Sequence, residues 1–146
     1  MYKKILVPLD GSEFAKKALE HAEELAKTFS AEIILFQVVP LTPFYAGAPE
    51  SVPFGIVDEK QTEAAEMDLT KLAEEMKTRG HKVTAIVRTG QQVAVEIIDF
   101  AKESGVDLIV MCTHGLSGIT QWVLGSVAHK VLTRAETPIL LIHLKR

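Results

Sequence analysis

The apolar runs of this chain do not alternate with polar residues. Ile5-Leu6-Val7, Ile33-Ile34-Leu35-Phe36 and Leu108-Ile109-Val110-Met111 each present consecutive apolar side chains. Neighbouring side chains of a strand point to opposite faces, so an unbroken apolar run suits a strand covered on both faces. Between the runs lie segments in which apolar residues return every three or four positions, the period of a helix. Phe14, Ala18, Leu19, Ala22, Leu25 and Ala26 mark the first, over residues 13–28. Ala64, Ala65, Leu69, Leu72, Ala73 and Met76 mark the second, over 58–79. Val95, Ile98 and Ala101 are the inward candidates of the third, over 91–104, and Val127, Val131 and Leu132 those of the fourth, over 126–134.

Strands over residues 5–9, 31–39, 83–87, 107–112 and 139–144 complete the series. Regular alternation of strand and helix predicts an α/β fold, a doubly wound parallel sheet of five strands with helices on both faces. Ser12 is a candidate N-cap, Gly80 and Gly105 are stop signals, and Arg88-Thr89-Gly90 reads as a turn. A length of 146 residues sets one domain, 1–146, as the expectation.

Composition removes several classes of function. Hydrophobic residues make up 47% and the formal net charge is −3, which disfavours disorder and a basic nucleic-acid surface. One cysteine excludes an internal disulfide framework and fits a reducing compartment. No apolar run reaches membrane-spanning length and the start shows no signal-peptide pattern, so a cytoplasmic protein with no membrane partner is expected.

The stretch 106–126 is where chemistry is expected. An apolar strand passes into Cys112-Thr113-His114, then a loop containing Gly115, Gly118 and Gly125, and a helix follows Ser126. Glycines admit a ligand close to the backbone, and the free N–H groups of a helix N-terminus bind anions. In doubly wound sheets ligands sit beyond the carboxyl ends of the strands, where the strand order reverses. There the loop Pro8-Leu9-Asp10-Gly11-Ser12 would meet the glycine loop. A carboxylate facing a phosphate loop suits a nucleotide, since Asp10 can accept from ribose hydroxyls or hold a metal ion. The sequence has no Gly-x4-Gly-Lys-Ser/Thr and no Gly-x-Gly-x2-Gly after the first strand, which excludes the P-loop and the dinucleotide fingerprint.

At these residues the sequence resembles the universal stress protein family, from Lys4-Ile5-Leu6-Val7-Pro8-Leu9-Asp10-Gly11-Ser12 to the terminal strand. The ATP-binding branch of that family carries Gly-x2-Gly-x9-Gly-Ser/Thr. Here the stretch reads Cys112-x2-Gly115-x9-Gly125-Ser126, with Cys112 in place of the first glycine. The resemblance implies a Rossmann-like sheet of order 3-2-1-4-5, ATP on the glycine loop with Mg2+ or Mn2+, and a homodimer through the last strand, 139–144. The implied binding set is Pro8 and Asp10 on the ribose side and Val38 and Val39 beside adenine. Met111, Cys112, Thr113, His114, Gly115, Gly118, Gly125, Ser126 and Val127 complete it around the phosphates.

Each of these residues also has a plainer reading. Asp10 can cap a turn, Ser126 can act as an N-cap bonded to the amide near His129, and Cys112 can be a small buried hydrophobe. His114 has no partner at metal-ligand spacing and reads as a turn histidine. Trp122, Val123 and Leu124 read as packing over the loop. Residues 40–57, rich in proline, read as a long flap over the adenine side. Three functions stand side by side: a nucleotide-dependent regulatory homodimer, a slow ATPase, and a dimeric interaction protein without nucleotide. No lysine or arginine lies between Cys112 and Ser126, which argues against efficient phosphoryl transfer.

Overall fold

In a computed structural model, residues 1–41, 55–114 and 124–143 are described. The elements in chain order are β1 (Lys4–Leu9), α1 (Glu13–Phe29), β2 (Glu32–Pro40), α2 (Glu59–Thr78), β3 (Lys82–Gly90), α3 (Val93–Glu103), β4 (Leu108–Cys112), α4 (Ser126–Arg134) and β5 (Ile139–Ile142). They build one parallel five-stranded sheet in the order β3-β2-β1-β4-β5, as expected.

The unbroken apolar runs have the expected cause. Ile5, Val7 and Leu9 pack with Ala15, Ala18, Leu19 and Ala22 of α1 and with Leu69 and Met76 of α2. Leu6, Ile34, Phe36 and Ile109 point to the other face, against Ile97 and Phe100 of α3 and Val131 of α4. Every position of the three apolar runs therefore meets an apolar layer.

Helix ends follow local chemistry. Ser12 Oγ accepts from Ala15 N at 3.1 Å and Asp58 Oδ1 from Gln61 N at 3.0 Å, capping α1 and α2. Gly80, at φ 91°, closes α2: its amide donates to Lys77 O and that of His81 to Met76 O. This paired bonding needs a left-handed residue just past the helix end.

Several details differ from the sequence reading. Arg88-Thr89-Gly90 continues β3, with Pro40 opposite Gly90, because pairing to the long β2 holds it extended. In α1 Phe14 is 52% exposed and Ala15 is buried in its stead, and Ala64 and Leu132 also face outward. The buried stripe of α3 is Ala94, Ile97, Phe100 and Ala101, one position off the expected face at its start. Asp99, Lys102 and Glu103 take the outward side of that helix, and Val95 and Ile98 lie half-buried beside the inward stripe. β5 stops at Ile142, with His143 outside the strand and Leu144 outside the described residues.

The start of β4 is tied to the N-terminal strand. Asp107 Oδ2 accepts from the backbone amides of Lys3 at 2.7 Å and Lys4 at 2.8 Å. These two bonds hold its carboxyl below the usual carboxylate range. Stability from a depressed carboxylate is present above its unfolded pKa and lost as pH falls through its folded one. Asp107→Ala is therefore expected to cost about 1 kcal/mol at neutral pH. Urea denaturation should show that difference shrinking as pH falls below about 4; a difference unchanged at acid pH would contradict the carboxylate account.

Candidate functional site

β1 and β4 are neighbours whose connections leave toward opposite faces, so the order reverses between them. A cavity of about 360 Å³ opens beyond their carboxyl ends. Its lining includes Pro8, Asp10, Val38, Val39, Met111, Cys112, Thr113, His114, Gly125, Ser126 and Val127, the expected residues that lie among those described. Gly115, Gly118, Trp122 and Val123 lie outside the described residues, as does most of the expected flap at 40–57. Leu124 packs against the core face that holds α3 and α4, as its packing role required.

Asp10 sits just past β1, where the chain turns into α1. Its Oδ1 accepts from Ser12 N at 2.9 Å, a local turn bond that fixes the carboxylate on the cavity lip. Across β4, Thr113 N donates to Ile142 O at 3.1 Å and Gly125 N donates to Thr113 O at 2.8 Å. The second bond closes the neck of the loop between them. Gly125 has φ −57°, so glycine is required there for space, not for a left-handed backbone. A Cβ at Gly125 would lie 2.9 Å from the Thr113 carbonyl oxygen.

The Ser126 expectation fails. Gly125 is the N-cap of α4, Ser126 is the first helical residue, and no side chain caps this end. His129 N bonds Gly125 O at 2.8 Å. Ser126 is displaced from the cap because only a residue without Cβ fits against Thr113. The first-turn residues Ser126, Val127 and Ala128 line the cavity, and the early amides of a helix lack internal acceptors. α3 also lacks a side-chain cap, and its Val93 and Ile97 form part of the wall. α1 and α2 have side-chain caps.

Cys112 takes the plainer of its two readings. It is buried at the end of β4, and its Sγ lies 3.0 Å from Phe14 O in the first turn of α1. Burial pushes the thiol pKa up, and the nearby Asp10 charge adds to the shift. Among described residues other than glycine, Ser30 has a positive φ, so Cys112 holds an ordinary strand backbone. Its side chain points into the α1 face and leaves its amide as available as a glycine's. Cys112→Gly is expected to destabilise by about 1–2 kcal/mol through lost burial and added chain freedom, which urea denaturation measures. The native thiol should resist a disulfide reagent at pH 8 and react on unfolding; rapid native reaction would contradict this burial.

His114 Nδ1 lies 2.9 Å from Thr113 Oγ1, and its Nε2 is buried with no hydrogen-bond partner among the described residues. Among the described residues no group of three or more His, Cys, Asp or Glu could hold a metal unaided. Sequence reasoning missed Phe36, Gln37, Gln61, Val93 and Ile97 in the lining. Gln61 comes from the first turn of α2, whose place over the sheet has no local signal. Val93 and Ile97 are spaced as neighbours on one helix face, and that spacing was the available signal.

An apolar cleft at the topological switch point, with a carboxylate on its lip and a bare helix N-terminus, is the place where α/β domains of this architecture commonly hold small ligands. This chain belongs to the universal stress protein family, whose family model matches residues 1–143. A universal stress protein of Methanocaldococcus jannaschii is 36% identical over 142 residues, covering 97% of this chain and 82% of that protein. The crystal structure of a family protein from Burkholderia pseudomallei is similar at a TM-score of 0.74 and 31% identity, over 97% of this chain and 96% of that one. A universal stress protein from Archaeoglobus fulgidus in complex with dAMP shares the fold at a TM-score of 0.69 and 22% identity, over 96% and 97%. Among the described residues no helix is long and apolar enough to cross a membrane.

Proposed function

We propose that this chain binds an adenine nucleotide in the switch-point cavity, taking ATP together with Mg2+ or Mn2+. In this reading it is a homodimeric, nucleotide-dependent regulatory module of the stress response. The observation that carries the proposal is that one cavity brings together Asp10 and the bare N-terminus of α4. Phe36, Val38, Val93, Ile97 and Met111 give it an apolar wall wide enough for a base. In this reading the main chain near Val38 or Val39 reads the adenine edge, Asp10 accepts from the ribose, and the amides of Ser126 and Val127 receive a phosphate. Gly115 and Gly118 would complete the phosphate loop. The dAMP complex of the Archaeoglobus relative supports the choice of base through shared fold, while the residues above are this chain's own. Calorimetry should give a micromolar dissociation constant for ATP with Mg2+, about −8 kcal/mol. Absence of heat and of a thermal shift at millimolar ATP would overturn the proposal.

The dimer is argued from β5. This strand is an edge of the sheet, and Ile139, Leu140 and Leu141 are half-buried. An apolar edge with unpaired backbone groups invites a partner strand, here the same strand of a second copy. Leu141→Lys is expected to give a monomer by light scattering at tens of micromolar protein, with the wild type a dimer. A monomeric wild type, or a dimeric Leu141→Lys protein, would count against this interface.

A further inference from the structure

The switch-point cavity has two chemically different ends. Asp10, Thr113, His114 and Ser126 line it where β1, β4 and α4 meet. Phe36, Val38, Val93 and Ile97 line it beside β2 and α3. A sugar phosphate suits the first end and a flat base the second. A base held there still carries nitrogen donors and acceptors that need partners. Gln37 is turned away from it. Ile33 and Leu35 belong to the layer against α1 and α2, and the two-residue repeat of a strand sends Gln37 the same way. Its Nε2 would stand 3.8 Å from a Cβ on Gly11, in the turn between β1 and α1. Among the described residues, Gln61 is the polar side chain left at the base end. The helix α2 packs on β2 and β3 and runs back from the carboxyl end of β2, so its first turn stands at that end. Asp58 Oδ1 accepts from the Gln61 amide at 3.0 Å, which pins the backbone there. A glutamine three residues after the cap commonly bonds back to the cap residue's own amide. Here the Gln61 carboxamide makes no hydrogen bond among the described residues, so both its donor and its acceptor stay available.

Resting on the nucleotide reading above, we infer that Gln61 is a specificity-determining residue that reads the N6–N7 edge of the adenine. Its Oε1 accepts from the 6-amino group and its Nε2 donates to N7. A carboxamide presents one acceptor beside one donor, the complement of that edge. A 6-oxopurine offers two acceptors there, and the same side chain can bond only one of them. The 6-amino group has a second hydrogen, on the side of N1, which leaves that edge of the base to the main chain near Val38 or Val39.

The test is calorimetry of ATP and 7-deaza-ATP with Mg2+, on the full chain and on Gln61→Met. The analogue exchanges N7 for a C–H group and keeps the other hydrogen-bonding groups of ATP. Methionine keeps the length of glutamine and removes the carboxamide, at an exposed helix position where the fold does not depend on it. The wild type should bind ATP at least about fivefold more tightly than the analogue, the size of one neutral hydrogen bond. In Gln61→Met the two ligands should bind within about twofold of each other. Because each protein is compared with itself, a general effect of the substitution on the cavity cancels. Equal affinities in the wild type, or an undiminished preference for ATP in Gln61→Met, would overturn the inference and leave the nucleotide site standing. Failure of both ligands to bind the wild type would remove the nucleotide reading, and the inference with it.

Discussion

Gly125→Val is expected to weaken ATP binding by at least about a hundredfold, ~2.7 kcal/mol, and to cost about 1–3 kcal/mol of stability. The new Cβ would stand 2.9 Å from the backbone oxygen of Thr113, and no side-chain rotation relieves a clash between two backbone-fixed atoms. Either the Gly125 N to Thr113 O bond of 2.8 Å lengthens or α4 shifts outward. Both outcomes move the first-turn amides of α4 away from where a phosphate would sit, and such groups lose their value with displacements of about 1 Å. Ser126→Ala should have the milder effect, because it removes a hydroxyl from the cavity but leaves the α4 amides where they are. Calorimetry and urea denaturation check both numbers. A Gly125→Val protein that binds ATP like the wild type would show that the closed neck is unnecessary.

Phe36→Ala should produce the largest loss of stability, about 3–5 kcal/mol, a substantial share of the 5–15 kcal/mol that holds a typical domain together. Phe36 is fully buried in β2 and its ring stacks on Phe100 of α3, with centroids 4.6 Å apart at 21°. The guanidinium of Arg88 lies 4.9 Å from the centre of the Phe100 ring, so the stack extends to the sheet edge. Phe36 also forms part of the cavity wall. Its removal joins a core void to the ligand cleft and should weaken adenine binding as well. A urea midpoint close to that of the wild type would mean that α3 closes onto the gap.

The contrast between these two sites reflects what a sequence can show. The sheet was legible because its strands are covered on both faces, leaving runs such as Ile33-Ile34-Leu35-Phe36 without ambiguity. β3 was read too short because it is an edge strand, where Arg88 and Thr89 meet solvent and pairing to β2 overrides their turn character. The lips of the cavity were legible at Asp10 and Gly125, where chain turns coincide with strand ends. The Ser126 cap was misread because a serine before a helix is locally favourable, while the close approach of Thr113 is a contact between distant segments. The same non-local placement hid Gln61, Val93 and Ile97. Cys112 could be assigned only once its side chain was seen to point at α1.

Amide chemical-shift mapping during an ATP titration with Mg2+ tests the central claim most directly, because it reports both binding and place. The account predicts saturable shifts at Asp10, Val38, Val39, Thr113, Gly125, Ser126 and Val127. It predicts no response at the opposite end of the sheet, where Glu23 pairs with His81 at 3.2 Å. Shifts confined to residues outside the cavity, or none at millimolar ATP, would contradict it.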